Sequence, residues 1–209
     1  MQSSTIRALG VGVLLGGVIW AATRLAVGPI PPDTTYPLEL WGSAAFQAGL
    51  VCLLVVLWTT RATGTSLWGK LVLGIEVLFL VGAIAWTIPF LIDANRPHEG
   101  IILEILDAFW PLSVVWLIPI GITVARVRRW PSPARWSPLV ASLLVPVDLI
   151  ASQADEWPRL IIFATYLSLS YGVLGWLIVR DVAPLADALR GGSRPSSMAS
   201  ISITNVISC

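Results

Sequence analysis

The sequence predicts an all-α fold, a polytopic bundle of six transmembrane helices with both termini in the cytoplasm. Three observations carry this expectation. Of 209 residues, 56% are hydrophobic and only 12% charged, with a mean hydropathy of +0.82, which is too apolar for an ordinary soluble domain. Six runs, roughly 8–28, 40–60, 71–92, 101–125, 138–152 and 160–179, approach the ~20 apolar residues that a helical span needs. The basic residues between them alternate in density. Arg7, Arg61, Lys70, Arg126, Arg128, Arg129, Arg135, Arg180, Arg190 and Arg194 fall on one side, and Arg24, Arg96 and Arg159 fall on or near the other. Because Lys and Arg concentrate in cytoplasmic loops, the connections 29–39, 93–100 and 153–159 are placed outside.

The first run opens Met-Gln-Ser-Ser-Thr-Ile-Arg and stays apolar to about Gly28, outlasting the apolar core of a signal peptide, so it is predicted to be a retained helix. Gly12-x-x-x-Gly16 in this run and Ser168-x-x-x-Gly172 in the sixth allow helices to approach closely, within the bundle or in a homo-oligomer. The stretch from Pro29 to Pro37, with Pro31 and Pro32 between, is too proline-rich for a helix and is predicted as an extended outer loop. The runs are continuously apolar and do not alternate, which favours helices over a barrel. The fifth run is short and holds Pro138, Pro146 and Asp148, so it is expected to be tilted, kinked or only partly inserted. Residues 1–190 then form one transmembrane domain, and the Ser-rich stretch 191–209 a mobile cytoplasmic tail.

Tryptophan occurs eleven times. Trp41, Trp68, Trp130, Trp136, Trp157 and Trp176 lie near predicted span ends, where the amphipathic ring anchors at the headgroups. Trp86, Trp110 and Trp116 lie deeper and are expected to face the bundle. Arg126, Arg128 and Arg129, beside Trp130, read as a topology signal and a contact for anionic lipid. The outer connections carry Asp33, Glu39, Asp93, Glu99, Asp155 and Glu156, which keep short loops wet.

Five ionisable residues fall inside spans: Arg24, Glu76, Glu104, Asp107 and Asp148. Each costs about 2.5–3.5 kcal/mol at a span centre and so needs an explanation. The rise of ~1.5 Å per residue places Arg24, Glu104, Asp107 and Asp148 roughly 6–10 Å from the outer end, and Glu76 roughly 8 Å from the inner end. Glu104 and Asp107 share a helix face with Trp110, and Arg24 is the basic group available to pair with them. Pro111 cannot bond the carbonyl of Asp107, which leaves that oxygen free, and Pro89, Pro119 and Pro146 do the same for Ala85, Val115 and Ser142. Tyr166, in the outer half of the sixth run, is within reach of the acids. The competing reading makes Asp107 the N-cap of a helix over 108–125, with 100–106 lying along the interface.

Cys52, Cys209 and His98 supply no metal or haem ligand set, and no catalytic, phosphate-binding or nucleic-acid motif is present, so no cofactor and no nucleic acid are expected. The run Asp107-Ala-Phe-Trp-Pro-Leu-Ser113, with Tyr166-Leu-Ser-Leu-Ser-Tyr-Gly172, is similar to small multi-spanning bacterial membrane proteins of unassigned function. That resemblance, confined to the second half of the chain, implies a bacterial cytoplasmic (inner) membrane. The favoured expectation is an outer-leaflet pocket, built from Arg24, Glu104, Asp107, Trp110, Asp148 and Tyr166, that binds or transports a cation, proton or small polar solute. A membrane enzyme using Asp107 or Asp148 as an acid on a lipid or prenyl substrate is the first alternative, and an accessory subunit of a membrane complex the second.

Overall fold

The computed structural model describes residues 3–29, 36–93 and 100–184, and every regular element within them is helical. In chain order these are α1 (Ser3–Val27), α2 (Pro37–Thr59), α3 (Leu67–Ile92), α4 (Ile101–Val127), α5 (Ser137–Ser142), α6 (Leu144–Ala151) and α7 (Glu156–Leu177), which continues as a π-helical turn, Ile178–Val182. The proline-rich stretch 30–35, the segment 94–99 and residues 185–209, the expected tail 191–209 among them, with Asp33, Arg96, His98, Glu99, Arg190, Arg194 and Cys209, lie outside the described residues.

Local chemistry sets the helix limits. Pro37 opens α2, where the missing N–H costs nothing and the fixed φ suits a first turn. Ser66 caps α3 by accepting from the Gly69 N–H at 3.2 Å. Gly28, at φ +80°, ends α1 in the left-handed conformation while its N–H bonds the Arg24 carbonyl at 3.0 Å. Arg128 does the same for α4 at φ 57°, a conformation unusual for a side chain with a Cβ. Both Pro111 and Pro119 lie inside α4, which remains one helix.

Among the described residues five helices, α1 to α4 and α7 with its continuation, are long and apolar enough to cross a membrane, so by length and composition the chain is a multi-pass membrane protein. The outward faces agree with this. Leu15, Ile19, Val51, Leu78, Val81, Ile88, Leu169 and Val173 are all exposed, a band of apolar surface that a water-soluble monomer does not carry. The fifth predicted span differs from the other five. It is a pair of short helices broken at Leu143, 15 residues from Ser137 to Ala151, because Pro146 has no N–H to bond the Ser142 carbonyl.

Helix α1 packs between α2 and α7, α2 meets α3, α3 pairs with α4, and α5 and α6 fill the gap between α4 and α7. The glycine pattern predicts the first contact and misplaces the second. Gly16 lies against the backbone of Ala45 to Gly49 on α2. On α7, however, Gly172 has open space beside it, and Gly175 is the residue pressed against the Gly10 carbonyl of α1. Trp130 also departs from expectation. Instead of anchoring at the interface, it is 1% exposed, with its indole N–H donating to Thr60 Oγ1 at 3.0 Å, and it joins the α4–α5 connection to the end of α2. Trp41, Trp68, Trp136, Trp157 and Trp176 remain exposed.

Candidate functional site

Six helix ends converge at one end of the bundle around a cavity of about 400 Å³. Trp20 and Arg24 come from the last turns of α1, and Trp86 from late in α3. The beginnings of α2, α4 and α7 supply Glu39 and Ser43, Asp107 and Trp110, and Glu156, Arg159 and Phe163. Asp148, from α6, completes the ring of charge. Since α4 starts at this end and α6 finishes at it, α5 and α6 together return the chain along the bundle despite their break.

The walls are aromatic and ordered by contact. Trp20 is 3% exposed, stacks on Phe46 with centroids 4.7 Å apart, and meets the edges of Trp110 and Phe163 at 5.3 and 5.2 Å. Its N–H donates to Glu39 Oε1 at 3.2 Å, which fixes a carboxylate at the cavity mouth and satisfies a buried indole donor. Arg159 holds Asp148 through two parallel bonds, Nε to Oδ1 at 3.0 Å and Nη2 to Oδ2 at 2.7 Å. The pair is partly exposed, so it is worth about 0.2–1 kcal/mol and serves mainly to set α6 against α7.

Of the six residues selected from sequence, Arg24, Asp107, Trp110 and Asp148 line this cavity. Glu104 does not line it. Three residues advance a helix by about 300°, leaving Glu104 about 60° from Asp107, and it is exposed one turn nearer the start of α4. Tyr166 does not line it either, because its hydroxyl donates to the Val140 carbonyl and ties α7 to α5. Asp107 is not an N-cap: α4 begins at Ile101 with Gly100 as its cap residue, so Asp107 sits in the second turn. Nor does Arg24 pair with an acid among the described residues; the salt bridge at this end belongs to Arg159, which the sequence places in a loop and the structure places in the first turn of α7. Trp20, one helical turn before Arg24, was legible by that spacing alone.

A second polar group lies in the core. Glu76 is fully buried, nine residues and thus about 14 Å from the start of α3, deeper than its sequence depth because α3 begins at Leu67. Ser113 Oγ on α4 donates to Glu76 Oε1 at 2.7 Å. Glu76 Oε2 and the hydroxyl of Tyr171 on α7 are buried with no hydrogen-bond partner among the described residues. Elsewhere in the core, Gln47 Nε2 on α2 donates to Thr87 Oγ1 on α3 at 2.7 Å, and Thr87 donates to the Ala83 carbonyl. Trp116 donates from α4 to the Val72 carbonyl of α3 at 2.9 Å, so polar contacts join α3 to both its neighbours.

No protein-family model, curated protein or solved structure matches this chain.

Proposed function

We propose that this chain crosses a bacterial cytoplasmic membrane six times, with both termini inside, and binds or carries a small organic cation in the cavity at its outer end. The crossing number rests on Asp107 and Asp148 lining one cavity although α4, α5 and α6 lie between them in the chain. The orientation rests on the excess of Lys and Arg at the opposite end. In the same frame Arg126, Arg128 and Arg129 face anionic headgroups of the inner leaflet.

The composition of the cavity carries the ligand assignment. Among the described residues, Glu39, Asp107, Asp148 and Glu156 contribute four carboxylates against the two guanidiniums of Arg24 and Arg159, and Trp20, Trp86, Trp110 and Phe163 form the walls. An excess of carboxylate attracts a cation, and the negative faces of aromatic rings hold an alkylated ammonium, which needs no hydrogen-bond acceptors. A bare metal ion fits less well, since among the described residues no three acidic, His or Cys groups lie close enough together to hold one. The enzyme reading has less support at Asp148, whose carboxylate is held in two bonds by Arg159.

Equilibrium binding to the purified full chain, followed by tryptophan fluorescence, tests the proposal with choline and its neutral isostere 3,3-dimethyl-1-butanol. Choline is expected to bind about tenfold more tightly than the isostere, and Trp110→Ala or Asp107→Asn to remove most of that advantage. Glu104→Gln, outside the lining, is expected to leave it intact. Equal binding of cation and isostere contradicts the assignment.

A further inference from the structure

At the opposite end of the bundle, where α2 gives way to α3, a cavity of about 320 Å³ is lined by Arg61, Lys70, Trp58 and Leu73 together with the turn between the helices. It contains no carboxylate among its lining residues, and among the described residues neither Arg61 nor Lys70 enters a salt bridge. The turn is built to leave these cations outward. Thr63 is buried with its hydroxyl donating to the Gly69 carbonyl at 3.0 Å, and the Gly64 N–H closes on the Arg61 carbonyl at 2.8 Å.

A second cavity of about 210 Å³ shares Trp58 and Leu73 with the first and continues along the bundle between α2 and α3, past Leu54, Val55 and Val77. Its one hydroxyl, that of Thr59, is turned inward to the Val55 carbonyl at 2.7 Å, so the groove presents carbon to whatever lies in it. A basic cup opening into an apolar groove matches an amphiphile with an anionic head. On the proposed orientation the cup lies at the inner leaflet, where anionic lipids concentrate.

We propose that the α2–α3 cleft is a binding site for an anionic phospholipid, its phosphate between Arg61 and Lys70 and one acyl chain laid along Val55 and Val77. The site is separate from the outer cavity and does not depend on what that cavity binds. Its lining does not include Arg126, Arg128 or Arg129, the cluster that the sequence favours as the lipid contact and that adjoins the cup where Val127 lies beside Gly64.

Native mass spectrometry of the detergent-purified full chain tests it, with phosphatidylglycerol, phosphatidylcholine and inorganic phosphate titrated in separate arms. Phosphatidylglycerol is expected to be retained about thirtyfold more tightly than phosphatidylcholine, at roughly the effect of two basic contacts. That preference is expected to vanish in Arg61→Gln/Lys70→Gln, whose side chains are exposed and leave the fold unchanged. Val77→Trp, which fills the groove from a half-exposed position, is expected to lower phosphatidylglycerol retention without altering phosphate binding. The proposal is overturned if the preference survives Arg61→Gln/Lys70→Gln, if it is lost instead in Arg126→Gln/Arg128→Gln/Arg129→Gln, or if Val77→Trp has no effect and free phosphate binds as well as the lipid.

Discussion

Gly175→Ala is expected to destabilise the folded chain by about 1–3 kcal/mol, and Gly172→Ala, three residues earlier on the same helix, to leave it unchanged or up to about 1 kcal/mol more stable. A Cβ at Gly175 would stand 2.5 Å from the Gly10 carbonyl oxygen and 2.7 Å from the Leu14 nitrogen. Those are backbone atoms of α1, which cannot rotate away as a side-chain tip can, so α1 and α7 must separate along their contact. At Gly172 a Cβ meets nothing within 4 Å, and only the helix preference for Ala over Gly remains. Reversible unfolding in mixed micelles, read by tryptophan fluorescence, gives both values, and equal destabilisation by the two substitutions would contradict the packing described.

Glu76→Leu is expected to raise stability in the same assay, by about 1–3 kcal/mol, even though it removes a hydrogen bond. Glu76 gains one partner, Ser113, and leaves Oε2 buried without any, so the desolvation of the carboxyl outweighs the single bond. Once Glu76 is gone, the Ser113 hydroxyl can turn to the Phe109 carbonyl one turn back. The companion result is a double-mutant cycle. Ser113→Ala is expected to cost about 1–3 kcal/mol when Glu76 is present and close to nothing in the Glu76→Leu background. If Glu76→Leu is instead strongly destabilising, the unpaired oxygen has a partner that this account lacks.

The sequence made the long apolar helices legible because hydrophobic length reports directly on the thickness of a bilayer. It could not make the α5–α6 break legible as a break. Pro146 predicts lost hydrogen bonding, but whether a helix bends or stops there depends on what α4 and α7 offer alongside. The outer cavity was half legible. Arg24, Asp107, Trp110 and Asp148 were found because intramembrane charge and deep tryptophan are conspicuous, whereas Glu39, Glu156 and Arg159 were assigned to loops when the helices in fact begin earlier than the apolar runs. Choosing Glu104 and Tyr166 failed for different reasons. Sharing a helix face within 60° does not guarantee sharing a cavity, and a tyrosine hydroxyl takes the nearest carbonyl, here Val140. The Ser168–Gly172 spacing did not point to Gly175, because a small-residue spacing says that close approach is allowed and not which helix arrives.

A cation-binding cavity open to the outside is tested most directly at Ser43, a small residue on α2 that lines the cavity and is 7% exposed. The measurement is labelling of Ser43→Cys, in a chain also carrying Cys52→Ala and Cys209→Ser, by a membrane-impermeant thiol reagent applied to either face of sealed vesicles, with the exposed Trp41→Cys as reference. Modification of Ser43→Cys from the outer face, and protection by choline, is the predicted result. Modification only from the cytoplasmic face, or none while Trp41→Cys reacts, would contradict the account.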